Sequence, residues 1–221
     1  MSVIGRYLGL VKFEHTLFAL PFALISLLVA ADGKPPWRVL AWVLVAMVGA
    51  RSAAMAFNRI VDAEHDRRNP RTADRHLPAG RVSRRGAIVF TAAAAALFVV
   101  AAWRLNPLCL ALSPVALAVV LLYSYTKRFT ELSHLALGLA LAIAPVGAWL
   151  AVTGRFAPFP LWTAAGVLFW VGGFDTIYGC QDEAFDRQHG LRSLAARWGC
   201  RRALIAARVF HAVAVGCLAI A

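Results

Sequence analysis

Asn58, Asp62 and Asp66 stand four residues apart in the string NRIVDAEHD. In a helix that spacing stacks three side-chain oxygen groups on one face, about a turn apart. Oxygens stacked so closely repel one another unless a cation sits between them. Mg²⁺ suits such hard ligands, because it keeps several waters and completes its shell from substrate phosphates. The bland alternative is a solvated helix end, which Glu64 and Asp66 alone would satisfy but which gives no reason for a strict Asn-Asp-Asp stripe.

A second acidic segment, FDTIYGCQDEAFD, carries Asp175, Tyr178, Gln181, Asp182 and Asp186. Asp182 and Asp186 repeat the four-residue step, and Asp175 lies seven residues earlier, on the same face of a continuous helix. Asp175 also lies within an apolar run, where an ionised carboxylate usually faces a polar cavity. Basic groups accompany both segments. Arg71 and Arg75 follow the first, Lys127 lies in LLYSYTKRFT, and Arg51 sits seven residues before Asn58 inside an apolar stretch. Cations beside acidic metal ligands are what a diphosphate requires, and Arg51, one layer deeper, suits an anionic substrate group. Arg67, Arg68, Arg84 and Arg85 read as topology signals instead. Of the nearby aromatics Phe57, Tyr123, Tyr125, Trp170, Phe174 and Tyr178, only Tyr123 and Tyr178 are expected to act, each being near a charged candidate on its own helix. Packing or an interfacial belt accounts for the others. The six histidines show no HxxxH or HExxH spacing, and the four cysteines form no CxxC pair, so no zinc, haem or redox site is expected.

The elements that must hold these groups follow from composition. Of 221 residues, 61% are hydrophobic and only 15% charged, which places the chain among polytopic all-α membrane proteins. A span needs roughly 20 apolar residues, and seven segments come close: 16–32, 37–57, 86–104, 107–124, 133–153, 159–179 and 203–221. Small residues crowd the second, third and fifth, which lets helix backbones approach. The formal charge of +12 resides mainly in the connections after spans two, four and six. That pattern orients a chain in a bilayer, with these loops and the N-terminus cytoplasmic. No stacking platform or recognition helix is present, and nucleic-acid binding is not expected. Nor does the N-terminus read as a removable signal peptide.

The motifs resemble those of the UbiA-type intramembrane prenyltransferases. The likeness runs from KFEHTLFALPFA through NRIVDAEHDRRNPRTADRHLPAG and LLYSYTKRFT to DTIYGCQDEAFDRQHGLRSLAARWG. It implies an all-helical transmembrane bundle, Mg²⁺, and transfer of a polyprenyl group from its diphosphate to an acceptor, usually aromatic. By the resemblance, Asn58, Asp62 and Asp66 are the first metal and diphosphate motif, and Asp182 and Asp186 the second. Lys127, Arg71 and Arg75 contact the diphosphate, Arg51 the acceptor carboxylate, and Tyr123 lies near the reacting centre. The subgroup it resembles is bacterial 4-hydroxybenzoate polyprenyltransferases and related menaquinone-pathway enzymes of the inner membrane. It implies nine spans, so residues 1–221 are expected to be one membrane-embedded domain with seven of them, truncated after Ala221.

Competing expectations are a family member acting on naphthoate, homogentisate, protohaem or glycerol-phosphate lipids, a cation transporter, or an inactive fragment. A transporter should carry charge near the membrane midplane, whereas most charges here cluster at one face.

Overall fold

The computed structural model describes residues 3–11 and 19–221, and among them every regular element is helical. The helices are α1 Val3–Leu10, α2 Leu20–Ala30, α3 Trp37–Arg68, α4 Arg84–Leu105, α5 Pro107–Leu122, α6 Ser133–Thr153, α7 Pro158–Gly179, α8 Glu183–Gln188, α9 Leu194–Trp198 and α10 Cys200–Ile220. Short 3₁₀ turns cover Tyr123–Arg128 and Cys180–Asp182.

An apolar segment in a bilayer must satisfy its backbone internally, so it becomes helix. Polar residues fix where each helix begins. Ser83 accepts from the Gly86 amide at 3.0 Å to start α4, and Asn106 accepts from Cys109 at 2.9 Å ahead of Pro107 to start α5. Gly154, at φ 64°, ends α6 in the left-handed conformation that glycine tolerates. Among the described residues, five helices are long and apolar enough to cross a membrane: α3, α4, α5 with its 3₁₀ extension to Arg128, α6 and α10. Helix α7 matches them at 22 residues, but its prolines, glycines and Asp175 dilute its hydropathy. Helix α2 is a shorter apolar helix of 11 residues. The rest of the expected first span, 16–18, and the part 12–18 of KFEHTLFALPFA lie outside the described residues.

The chain divides into two compact units: Met1–Phe18 with Trp37–Ser124, and Ala19–Pro36 with Tyr125–Ala221. In the first, α3 packs along α4. A Cβ on Gly49 would come 2.9 Å from the Phe98 amide nitrogen and 3.0 Å from the Ala94 carbonyl, so the small-residue stripe is a close backbone approach. Helix α1 joins this unit through Leu10 and Val11, which pack with Ala56, Val82 and Ala87, and through the stacked Tyr7 and Phe90 rings. In the second unit, α7 lies between α6 and α10, with α2 against α6. The Leu168 backbone fills the space where a Gly138 Cβ would stand, and His211 crowds Gly173.

Candidate active site

Helix α3 has 32 residues and is therefore ~48 Å long, well beyond the ~30 Å apolar core of a bilayer. Its last three turns carry the first acidic stripe. The Asn58 amide donates to Asp62 at 2.9 Å. Asp66 is only 6% exposed, because the following loop folds back over it. Arg75 donates to its Oδ1 at 2.6 Å, and Thr72 donates to its carbonyl at 3.1 Å. The Asn69 side chain accepts from the Arg71 amide and shapes the turn that makes this return possible. The second Asp66 oxygen is buried with no hydrogen-bond partner.

Arg59, which the sequence reading passed over, is 5% exposed on α3. It lies within electrostatic reach of Asp66, Asp62, Tyr123 and Arg75. Tyr123 also acts on Arg51, whose Nε is buried without a hydrogen-bond partner. Arg51, Arg59 and Tyr123 thus underlie the carboxylates as a basic and phenolic group. Burial, reinforced by Arg81 and Arg59, holds His76 below its ordinary value and keeps it neutral. At the exposed end of α3, Arg67 and Arg68 pair with Glu64 at 3.1 and 2.9 Å, a solvated helix end. Asp66 does not share that environment.

In the second unit the acidic residues do not share one regular helix. Asp175 lies on α7, Asp182 in the 3₁₀ turn and Asp186 on α8. The turn winds more tightly than an α-helix, and Asp182, at φ −104° and ψ 4°, breaks the regular path. The single face expected from seven- and four-residue spacing is thereby corrected.

Asp186 is 2% exposed. Lys127 Nζ stands 3.7 Å from its Oδ2, and the Ser193 hydroxyl donates to the carboxylate. Burial raises its pKa despite Lys127 and Ser193. Its Oδ2 has no hydrogen-bond partner. Ser193 also accepts from the Ala196 amide and so caps α9. The intervening loop is tied to the Lys127 segment: the Arg192 amide donates to the Lys127 carbonyl at 2.7 Å and its guanidinium to the Phe129 carbonyl at 2.9 Å. Gly190, at φ +68°, makes the turn.

Glu183 has a structural task. Its carboxylate accepts from the Cys200 amide at 3.1 Å, at the start of α10, and from Arg187 at 2.9 Å. The hydrogen bonds from Cys200 come first in holding it below the usual carboxylate range.

Asp175 meets a second residue that the sequence reading dismissed. His134, fully buried at the start of α6, holds Asp175 Oδ2 through Nδ1 at 2.7 Å. Phe22, Trp170, Phe174 and Tyr178 form a run of neighbouring rings with centroids 5.4, 6.3 and 5.1 Å apart. Tyr178 and Gln181 are exposed. Tyr125 instead lies under the Arg128 guanidinium.

Among the described residues, no three His, Cys, Asp or Glu side chains form a metal cage. What the donor set offers is different: hard carboxylate oxygens, two of them buried and without donors on Asp66 and Asp186. An unpartnered buried carboxylate oxygen is costly. A cation bound through one or two carboxylates and completed by phosphate oxygens fits it.

Apolar helices of membrane-crossing length define an all-helical multi-pass membrane protein, and each of its units carries carboxylates and cations at helix ends. The chain belongs to the UbiA prenyltransferase family, whose model matches residues 19–221. It is therefore a prenyltransferase. It is similar to a protein described as 4-hydroxybenzoate octaprenyltransferase from Azoarcus sp. (strain BH72), 33% identical over 218 residues, 99% of this chain and 76% of that protein. Among solved structures it resembles the apo structure of a UbiA homolog from Aeropyrum pernix K1, with 40% identity and a TM-score of 0.86 over 92% of this chain and 77% of that one. A UbiA homolog from Archaeoglobus fulgidus, bound to GPP and Mg²⁺, shares the fold at 22% identity and a TM-score of 0.79, over 97% of this chain and 77% of that one. The family read from the motifs is the family found.

Proposed function

We propose that this chain transfers a polyprenyl group from its diphosphate to an aromatic acceptor, 4-hydroxybenzoate, in quinone biosynthesis, with Mg²⁺ as cofactor. The observation that carries the chemistry is a buried carboxylate in each unit, Asp66 and Asp186, each beside one basic side chain. Each has an oxygen that accepts no hydrogen bond, Asp66 Oδ2 and Asp186 Oδ2, the latter meeting Lys127 only at 3.7 Å. The acceptor assignment draws support from the Azoarcus relative, and the metal from the Archaeoglobus fulgidus homolog. Asn58, Asp62, Asp66, Asp182 and Asp186 would hold Mg²⁺, which when bound polarises the diphosphate and favours its departure.

The protein groups then divide the work. Lys127, Arg71 and Arg75 neutralise the diphosphate oxygens, with Gln181 and Tyr178 completing that contact. As the allylic C–O bond breaks, positive charge develops on the prenyl carbon, where the Tyr123 ring can stabilise it. The acceptor carbon ortho to the phenol hydroxyl forms the new C–C bond as the diphosphate leaves, and that carbon then loses its proton to the released diphosphate. Arg51 orients the acceptor by its carboxylate. The polyprenyl tail lies in the bilayer, which accounts for an enzyme made of apolar helices. The basic connections support an orientation with the acidic segments and the N-terminus on the cytoplasmic side of a bacterial inner membrane.

Acceptor competition tests the assignment. Arg51→Ala is expected to lower the preference for 4-hydroxybenzoate over a phenol lacking the carboxylate by about 10- to 100-fold, the worth of a hydrogen bond to a charged group. The KM for prenyl diphosphate should stay unchanged. Preference equal to that of the wild type would remove Arg51 from the acceptor, and absence of 4-hydroxybenzoate from the products would remove the benzoate reading.

A further inference from the structure

His134 is the only histidine among the described residues that is fully buried and bonded to a carboxylate. Its Nδ1 stands 2.7 Å from Asp175 Oδ2, its Nε2 is buried with no hydrogen-bond partner, and its ring lies against α7 where a Gly179 Cβ would come 2.8 Å from Cε1. An imidazolium would leave an N–H buried and unpaired at Nε2. With Nδ1–H donating to Asp175, Nε2 presents a bare lone pair there instead of a stranded N–H. The ring is thus held against α7 at two points, at Asp175 and at Gly179. Asp175 itself remains 32% exposed.

Asp175 lies seven residues before Asp182, along α7 and then the 3₁₀ turn, hence roughly 10 Å away or more. That is too far to join Asp182 on one small cation. Beside it on α7 are two exposed rings, Phe174 at 41% and Tyr178 at 52%, with centroids 5.1 Å apart. A held carboxylate oxygen next to exposed aromatic rings matches a phenol: the phenol ring packs at Phe174 and Tyr178, and the hydroxyl donates to the carboxylate.

We propose that His134 is a positioning residue that holds Asp175 as the hydrogen-bond acceptor for the phenolic hydroxyl of the prenyl acceptor. The role rests on the aromatic-acceptor reading above. Hydrogen bonding to an ionised carboxylate raises electron density on the phenol ring, including the ortho carbon that attacks.

Steady-state kinetics of His134→Leu, His134→Asn, Asp175→Asn and His134→Leu/Asp175→Asn test it, together with ¹⁵N NMR of selectively labelled histidine. The expected wild-type spectrum includes an Nδ1–H signal that is lost in His134→Leu and altered in Asp175→Asn, distinct from that of His189, whose Nδ1 donates to the Phe185 carbonyl at 3.0 Å. His134→Leu should raise the KM for the phenolic acceptor about tenfold or more, the loss of one charge-assisted hydrogen bond, with the KM for prenyl diphosphate unchanged. His134→Asn, which keeps a donor near the Nδ1 position, should recover most of it. In the Asp175→Asn background, His134→Leu should add nothing further. An unchanged acceptor KM, equal changes in both KM values, or additive effects would overturn the positioning role. A wild type that turns over no phenolic acceptor would overturn the functional reading and this role with it, while the tautomer signal would still report the pair.

Discussion

Asp62→Ala is expected to cut prenyl transfer by about 10²- to 10³-fold, the cost typical of removing one preorganised electrostatic contact from a transition state, while the protein still folds. Asp62 is half-buried and accepts from Asn58 at 2.9 Å. Both groups reach solvent, so losing that bond should cost no more than about 1 kcal/mol. The catalytic worth expected from the proposed function is of another kind. The carboxylate lies one turn from the buried Asp66 and within electrostatic reach of Arg59, and the proposed function has it share a cation with the diphosphate. The Mg²⁺ concentration for half-maximal rate should rise along with the loss of turnover. Asp62→Asn should behave like the alanine variant, because the amide keeps the shape and loses the charge. Turnover within threefold of the wild type at saturating Mg²⁺ would remove Asp62 from the site.

Arg75→Ala is expected to lower both stability and turnover. Arg75 supplies the 2.6 Å hydrogen bond to an aspartate whose side chain is 8% exposed. Without it, the buried Asp66 carboxylate loses that donor while its second oxygen is already unpartnered. Breaking a buried pair by removing one member costs about 3–5 kcal/mol. Since Arg75 is 26% exposed and Arg59 stays nearby, the lower end is expected, ~3 kcal/mol. Adding Asp66→Asn to Arg75→Ala should restore most of the thermal midpoint in detergent, because the uncompensated charge is gone, without restoring turnover. A melting temperature unchanged by Arg75→Ala would mean that the pair does not hold the loop.

The helices were readable because an apolar run in a bilayer has one way to satisfy its backbone. Expected spans 133–153 and 159–179 differ from α6 and α7 by at most one residue. The segment 37–57 fell short of α3 by eleven residues, because charge after Phe57 ends the membrane span without ending the helix. The acidic stripes were legible by spacing, and Asn58 does touch Asp62. Their partners were not. Arg59 stands beside Asn58 in the chain, but its burial depends on a loop that returns over the helix end. His134 is 41 residues from Asp175, and a lone histidine at the start of an apolar run carries no metal or base spacing. Ser193 shows the ordinary signal of a helix cap, which conceals its second bond to Asp186. Spacing also failed across Cys180–Asp182, where a 3₁₀ turn replaces the α-helical period.

Incubating the purified protein in lipid with polyprenyl diphosphate, 4-hydroxybenzoate and Mg²⁺, and analysing the products by mass spectrometry, tests the central claim most directly. The expected result is a 4-hydroxybenzoate carrying the prenyl group on the carbon ortho to its hydroxyl, formed with Mg²⁺ and lost on chelation. Prenyl transfer that persists fully after the metal is removed, or no prenylated aromatic product at all, would contradict it.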